Sequence, residues 1–113
     1  MRSDALYLQD IVEASEAVSR FIGFRNQAEF AADDILRSAV LLKLLNIGEA
    51  VRQMSEATKA ENPEVPWKVI AGFRNRTIHE YFSVDWQIVW ETAIGDLPPL
   101  RAQIQAILDK EFG

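Results

Sequence analysis

The chain's single histidine, His79, lies in Phe73-Arg74-Asn75-Arg76-Thr77-Ile78-His79-Glu80-Tyr81, beside two arginines, an asparagine and a tyrosine. Histidine has the side chain whose unperturbed pKa lies nearest neutrality, so it can take up or release a proton at physiological pH. Arginine carries a permanent charge on a forked set of donors matched to phosphate. Together these residue types suit phosphoryl chemistry on RNA. The stretch is also locally basic: Lys68, Arg74 and Arg76 fall between Pro66 and His79 with no acid among them, and the acids resume at Glu80. Each residue has a structural use as well. A histidine near a helix C-terminus interacts with the terminal carbonyls and the helix dipole, and arginines serve as solvated surface charges. No Asp/Glu/His cluster has metal-ligand spacing, and one histidine with no cysteine leaves little to build such a site from.

The element that must carry this set begins at Pro66, which suits the first turn of a helix. Trp67, Ile70 and Phe73 then fall on one apolar side, and the spacing predicts a helix from Trp67 to about Glu80. On an ideal helix Asn75 and His79 are about 40° apart, Arg76 and His79 about 60°, and Arg74 and His79 about 140°. Asn75 is then the natural neighbour of the imidazole. Arg74 reaches the same phosphate only by its length, by distortion at the helix end, or through a site shared with a second copy. The last option predicts a symmetric dimer with the motif helices facing each other.

Upstream, Tyr7, Ile11, Ala14, Val18 and Phe21 recur at three- and four-residue steps, placing a helix from near Ser3 or Asp4 to a terminator at Gly23. Asp33 or Asp34 caps a longer helix whose stripe is Leu36, Val40, Leu44, Ile47, Val51 and Met54, widened by Leu41, Leu42 and Leu45. A face that broad is expected of a helix packed on two sides, by its own bundle or by a second subunit. Pro63 and Pro66 mark a connection. A further helix starts near Val84 or Asp85, buries Trp86, Val89, Trp90 and Ala93, and is kinked or restarted at Pro98 and Pro99 before Leu100, Ile104 and Ile107. Trp67, Trp86 and Trp90 could stack on bases, but their helical spacing reads first as core. There is no internal repeat, no alternating strand pattern and no glycine-rich phosphate loop. The expected fold is all-α, an antiparallel up-down bundle of four to five helices in one domain over residues 1–113.

Composition narrows the partners. The hydrophobic share of 49% and charged share of 26% are those of a globular protein. The net charge of −5 argues against coating nucleic acid through general phosphate neutralisation, so any contact with nucleic acid must be local. The longest apolar run, Ala39 to Leu45, is interrupted by Lys43 and far too short for a membrane span. The first ten residues lack the unbroken apolar stretch of a secretory signal. A cytoplasmic location is expected, without membrane or DNA as partner.

Taken in order, Pro66-Trp67-Lys68-Val69-Ile70-Ala71-Gly72-Phe73-Arg74-Asn75, then His79-Glu80-Tyr81, Val89-Trp90-Glu91 and Asp96-Leu97-Pro98 closely resemble the HepT toxins of the HEPN superfamily. Ile47-Gly48-Glu49-Ala50 and Tyr7-Leu8-Gln9-Asp10-Ile11 are similar to that family's upstream signatures. The match spans nearly the whole chain. It implies a HEPN-type bundle and a metal-independent endoribonuclease without cofactor, acting on RNA as a homodimer. Arg74 and His79 would be its Arg-x4-His pair, with Asn75 as a supporting polar residue. The resemblance also implies the toxin half of a toxin-antitoxin pair. The antitoxin would be an MntA-like minimal nucleotidyltransferase that transfers AMP from ATP to the tyrosine of the Arg-x4-His-x-Tyr pattern, here Tyr81. Glu49 could reach the cleft from the second helix or remain a surface charge. The alternative is a non-catalytic helical module that binds a nucleotide or docks a nucleotidyltransferase with the same cleft.

Overall fold

Apolar residues at helical spacing produce α1, Asp4–Ile22, whose buried side includes Leu8, Ile11, Val18 and Ile22. Gly23 ends it at φ 55, a backbone conformation that costs glycine least, and returns its N–H to the Ser19 carbonyl. The computed structural model describes residues 2–79 and 83–112, with His79 described in its backbone alone. The long α3, Asp34–Gln53, starts where Asp33 accepts a hydrogen bond from the Leu36 N–H at 3.0 Å. Asp4, at the start of α1, meets Ser55, just past the end of α3, so the two helices run antiparallel. α7, Trp86–Glu91, capped by Asp85, passes through a π-helical turn, Thr92–Asp96, into α8, Leu97–Ile107, with the prolines in its first turn. Arg101 of α8 pairs with Glu16 of α1 at 2.8 Å, and the faces of α1, α3, α7 and α8 close over one core. The expected all-α bundle is therefore found. No helix among the described residues is long and apolar enough to cross a membrane.

Two short helices lie outside the expected elements. α2, Gln27–Ala32, is set by a reciprocal cap: the Asn26 side chain accepts from the Glu29 N–H, and the Glu29 carboxylate accepts from the Asn26 N–H. It drops Phe30 into the core, 5.2 Å from the Trp90 ring. α4, Glu56–Glu61, is capped by Ser55 and fastened to α1 by Asp4, whose carboxylate accepts from the Ser55 hydroxyl, the Ser55 N–H and the Thr58 hydroxyl. Partial burial pushes the Asp4 carboxyl up. The three hydrogen bonds and the charge of Lys59 outweigh it, holding the group below its ordinary value of 3.8. Because the folded value is the lower one, the stabilisation is present above the ordinary value and lost as pH falls through the folded one. Asp4→Ala is expected to cost about 1–2 kcal/mol at pH 7. The melting-temperature gap to wild type should narrow in acid, and a gap independent of pH would contradict this account.

The expected third helix is broken. α5, Trp67–Ala71, stops at Gly72, and α6, Phe73–Thr77, is a separate five-residue helix. The chain then leaves helical geometry at Ile78, φ −111 and ψ 116, and Ile78–His79 pairs antiparallel with Ser83–Val84. We label these two-residue strands β1 and β2. Two causes act together. Thr77 and Ile78 are β-branched and favour extended backbone. Thr77 is also fully buried, its hydroxyl spent on the Phe73 carbonyl at 2.7 Å and its own carbonyl taken by the Asp85 N–H at 2.7 Å. His79 is therefore not on the helix that carries Arg74 and Asn75, and the helical angles expected between them do not apply.

Trp67 and Trp90 are core residues. The Trp67 indole N–H donates to the Lys59 and Asn62 carbonyls, and half-buried Trp86 lies under the Arg37 guanidinium at 5.0 Å. Neither buried indole offers a face to a base.

Candidate active site

Gly48 decides where the motif helix sits. A Cβ at this position would stand 3.0 Å from the Ile70 carbonyl oxygen and 3.6 Å from that of Ala71, so α3 and the end of α5 approach backbone to backbone. Arg52, one turn further along α3, donates from Nε to the Ala71 carbonyl at 3.1 Å and satisfies a C-terminal acceptor of α5. α6 begins two residues later. The position of Arg74 is thus set by contacts of α3 with the backbone just before it.

Arg74 is exposed on α6 at a depression of about 230 Å³ between α3 and the α5–α6 junction. Its other walls include Leu45, Asn46, Glu49 and Arg52. No hydrogen bond or ion pair among the described residues engages the Arg74 guanidinium. Glu49 is in the wall of this depression and is also exposed, a surface charge at its edge. Its carboxylate is shared between the Gln53 amide, at 3.1 Å, and Arg52, 3.9 Å away. Asn75 is exposed on α6 but is not in the wall of this depression. Arg76 points to another partner, Asp96 in the π-helical turn, at 3.4 Å.

His79 follows two residues after α6 in β1, and pairing with Ser83 fixes its backbone. Tyr81, the expected AMP acceptor, lies outside the described residues. Among the described residues, no group of three or more His, Cys, Asp or Glu is placed to hold a metal ion. The sequence reading did not single out Arg52 or Asn46. Their signal was available, since Asn46 and Arg52 each fall three residues from Glu49, which puts all three on neighbouring lines of one helix.

Comparison with known proteins adds a family. A family model described as ribonuclease HepT-like matches residues 11–107. A protein of Caldanaerobacter subterraneus subsp. tengcongensis named as an RNase is 36% identical over 98% of this chain and 99% of its own. One of Thermococcus cleftensis named as a ribonuclease HepT is 35% identical over 94% of this chain and 96% of its own. One of Methanocaldococcus jannaschii, again named as an RNase, is 33% identical over 90% of this chain and 84% of its own. No solved structure matches the chain.

Proposed function

Since the chain belongs to the HepT-like ribonuclease family, we propose that it is the metal-independent endoribonuclease toxin of a toxin-antitoxin pair, with Arg74 and His79 as its catalytic residues. The observation that carries this reading is the exposed Arg74 guanidinium at a depression whose position α3 enforces, five residues before the chain's one histidine. His79 takes the proton of a ribose 2′-hydroxyl. The 2′-oxygen attacks the adjacent phosphorus, the bond to the 5′-oxygen breaks, and that oxygen leaves with a proton from water while the His79 imidazolium gives its own proton back to solvent. The products are a 2′,3′-cyclic phosphate and a 5′-hydroxyl end. Arg74 stabilises the charge gathering on the phosphoryl oxygens. Asn75, exposed on the same short helix, orients substrate or imidazole by hydrogen bonding. The deciding experiment is cleavage of total RNA by wild type against His79→Ala.

The working unit in this reading is a homodimer. With His79 off the helix, helical angles no longer argue for it, but α3 does. Ile35 and Leu42 are 80% and 55% exposed, and a seven-residue step leaves them about 20° apart on one line of the helix. That line runs on through Asn46 and Glu49 into the Arg74 depression. A second copy seated on this apolar strip, related by a twofold axis, brings two such depressions together.

Control is assigned to an MntA-like nucleotidyltransferase antitoxin acting at Tyr81. The tyrosine oxygen attacks the α-phosphorus of ATP, pyrophosphate leaves, and AMP remains on the phenol. A bulky anion two residues from His79 fills the cleft and repels RNA phosphate. Incubation with the cognate transferase and ATP is expected to add AMP to the peptide containing Tyr81 by mass spectrometry, with cleavage lost in parallel. Modification elsewhere, or activity retained by fully modified protein, would contradict the assignment.

A further inference from the structure

The chain carries a net charge of −5, and the groove between α1 and α3 that adjoins the Arg74 depression mixes the acids Asp10, Glu13 and Glu16 with the bases Arg2, Arg20 and Lys43. Asp10 and Glu16 are paired there, with Arg2 at 2.6 Å and with Arg101 at 2.8 Å, so the groove offers a phosphate no excess of positive charge. On the other side stands Arg52, whose charge serves no step of the reaction above. Its Nε bond to the Ala71 carbonyl orients the guanidinium plane. Its nearest carboxylate oxygen, on Glu49, is 3.9 Å from Nη1, and the two side chains are 45% and 60% exposed. An exposed pair at that distance contributes little. The Arg52 guanidinium is therefore fixed in direction by a neutral backbone acceptor, while much of its charge remains uncompensated beside that of Arg74. Arg52 and Arg74 outnumber Glu49, the carboxylate in the same wall, so the depression keeps a positive charge that a phosphate would balance. The Asn46 side chain at the same wall adds neutral polar groups for hydrogen bonding.

We propose that Arg52 binds a phosphate of the RNA next to the scissile one, so that the substrate backbone runs across the Arg52 and Arg74 side of α3. The proposal rests on the ribonuclease reading for its substrate, but its test does not depend on cleavage. The competing role is purely structural: Arg52 caps α5 and touches no substrate.

Binding of a short single-stranded 2′-O-methyl RNA, which lacks the nucleophilic hydroxyl, separates the two. Arg52→Gln is expected to weaken Kd about tenfold at low salt. The slope of log K against log salt concentration should fall by about 0.7 for each phosphate that is no longer neutralised, the value for single strands. In cleavage of ordinary RNA, KM rises about tenfold while kcat is nearly unchanged, the signature of weakened uniform binding. Arg52→Lys keeps the charge and is expected to keep the slope. An Arg52→Gln protein with the wild-type slope and KM overturns the proposal, and so does a fall in kcat alone, which assigns Arg52 to positioning through α5. Should Arg52→Gln fail to fold, the wild-type protein carries the test. The Arg52 Nε–H resonance is expected to shift as the 2′-O-methyl RNA is added, and saturation without a shift overturns the proposal. Wild-type protein that binds the probe with the expected Arg52 dependence yet cleaves no RNA counts against the ribonuclease reading and leaves this one standing.

Discussion

Replacing His79 with alanine is expected to lower RNA cleavage by about a hundredfold to ten-thousandfold, the range of a positioned general base. Arg74→Ala is expected to cost about a hundredfold to a thousandfold, the range for a donor that stabilises charge in the transition state. The two losses have different signatures. Arg74 also meets the ground-state phosphate, so its removal raises KM as well as lowering kcat, whereas removing His79 lowers kcat with RNA binding kept. The double variant should be little worse than the weaker single, because the residues act on one transition state and their effects do not add. Arg74→Ala leaves the core intact because Arg74 is solvent-exposed, and the backbone of His79 is held by its pairing with Ser83 whatever its side chain. Initial rates on an end-labelled RNA, with a melting curve for each variant, check this. Wild-type rates in either single variant would remove that residue from the chemistry. Binding without cleavage in every form, wild type included, would favour a module that holds RNA or a nucleotide without cutting it.

The parts of this site that sequence reveals are those fixed by local chemistry. α1 and α3 are legible because their buried residues recur at helical spacing, and their ends because Gly23 and Asp33 have the conformational freedom or side-chain oxygen that those positions need. α2 escapes that reading, since only Phe30 of its six residues is buried and no stripe forms. Its trace in the sequence is the cap, Asn26 followed three residues later by Glu29. The motif helix misleads for a different reason. Nothing between Trp67 and Glu80 forbids a helix, and Gly72 alone is tolerated in many. The break comes from tertiary bonding: Thr77 is buried and gives its carbonyl to Asp85, and β1 exists only because Ser83 and Val84 come back beside it. Gly48 is similar. Its presence is visible in the sequence, but its use, letting α3 touch the Ile70 carbonyl and so aim Arg74, appears only when the two helices are side by side.

The dimer reading makes its largest claim at Leu42. In a single protomer this side chain is 55% exposed, so Leu42→Asp leaves the core untouched and should leave circular dichroism and melting of the monomer nearly unchanged. Across a twofold axis the consequence differs. An isologous interface places the same strip of α3 on both sides, so each new carboxylate lies in an apolar contact near its symmetry mate. Burying such charges and setting like beside like costs several kcal/mol, and every 1.4 kcal/mol is about tenfold in dissociation constant. The variant is therefore expected to sediment as a monomer at concentrations where wild type is a dimer, and to lose at least about tenfold in cleavage there. If the active site is completed across the cleft, activity should return as protein concentration rises and dimer re-forms. Lys43, next in sequence but turned toward the α1 groove, supplies the control: Lys43→Asp also alters charge on α3, and it should leave the dimer and its activity close to wild type. A Leu42→Asp protein that remains dimeric and fully active would mean that a second copy, if it binds, uses another face. The continuity of Ile35, Leu42, Asn46 and Glu49 with the Arg74 depression would then need a different partner to cover it.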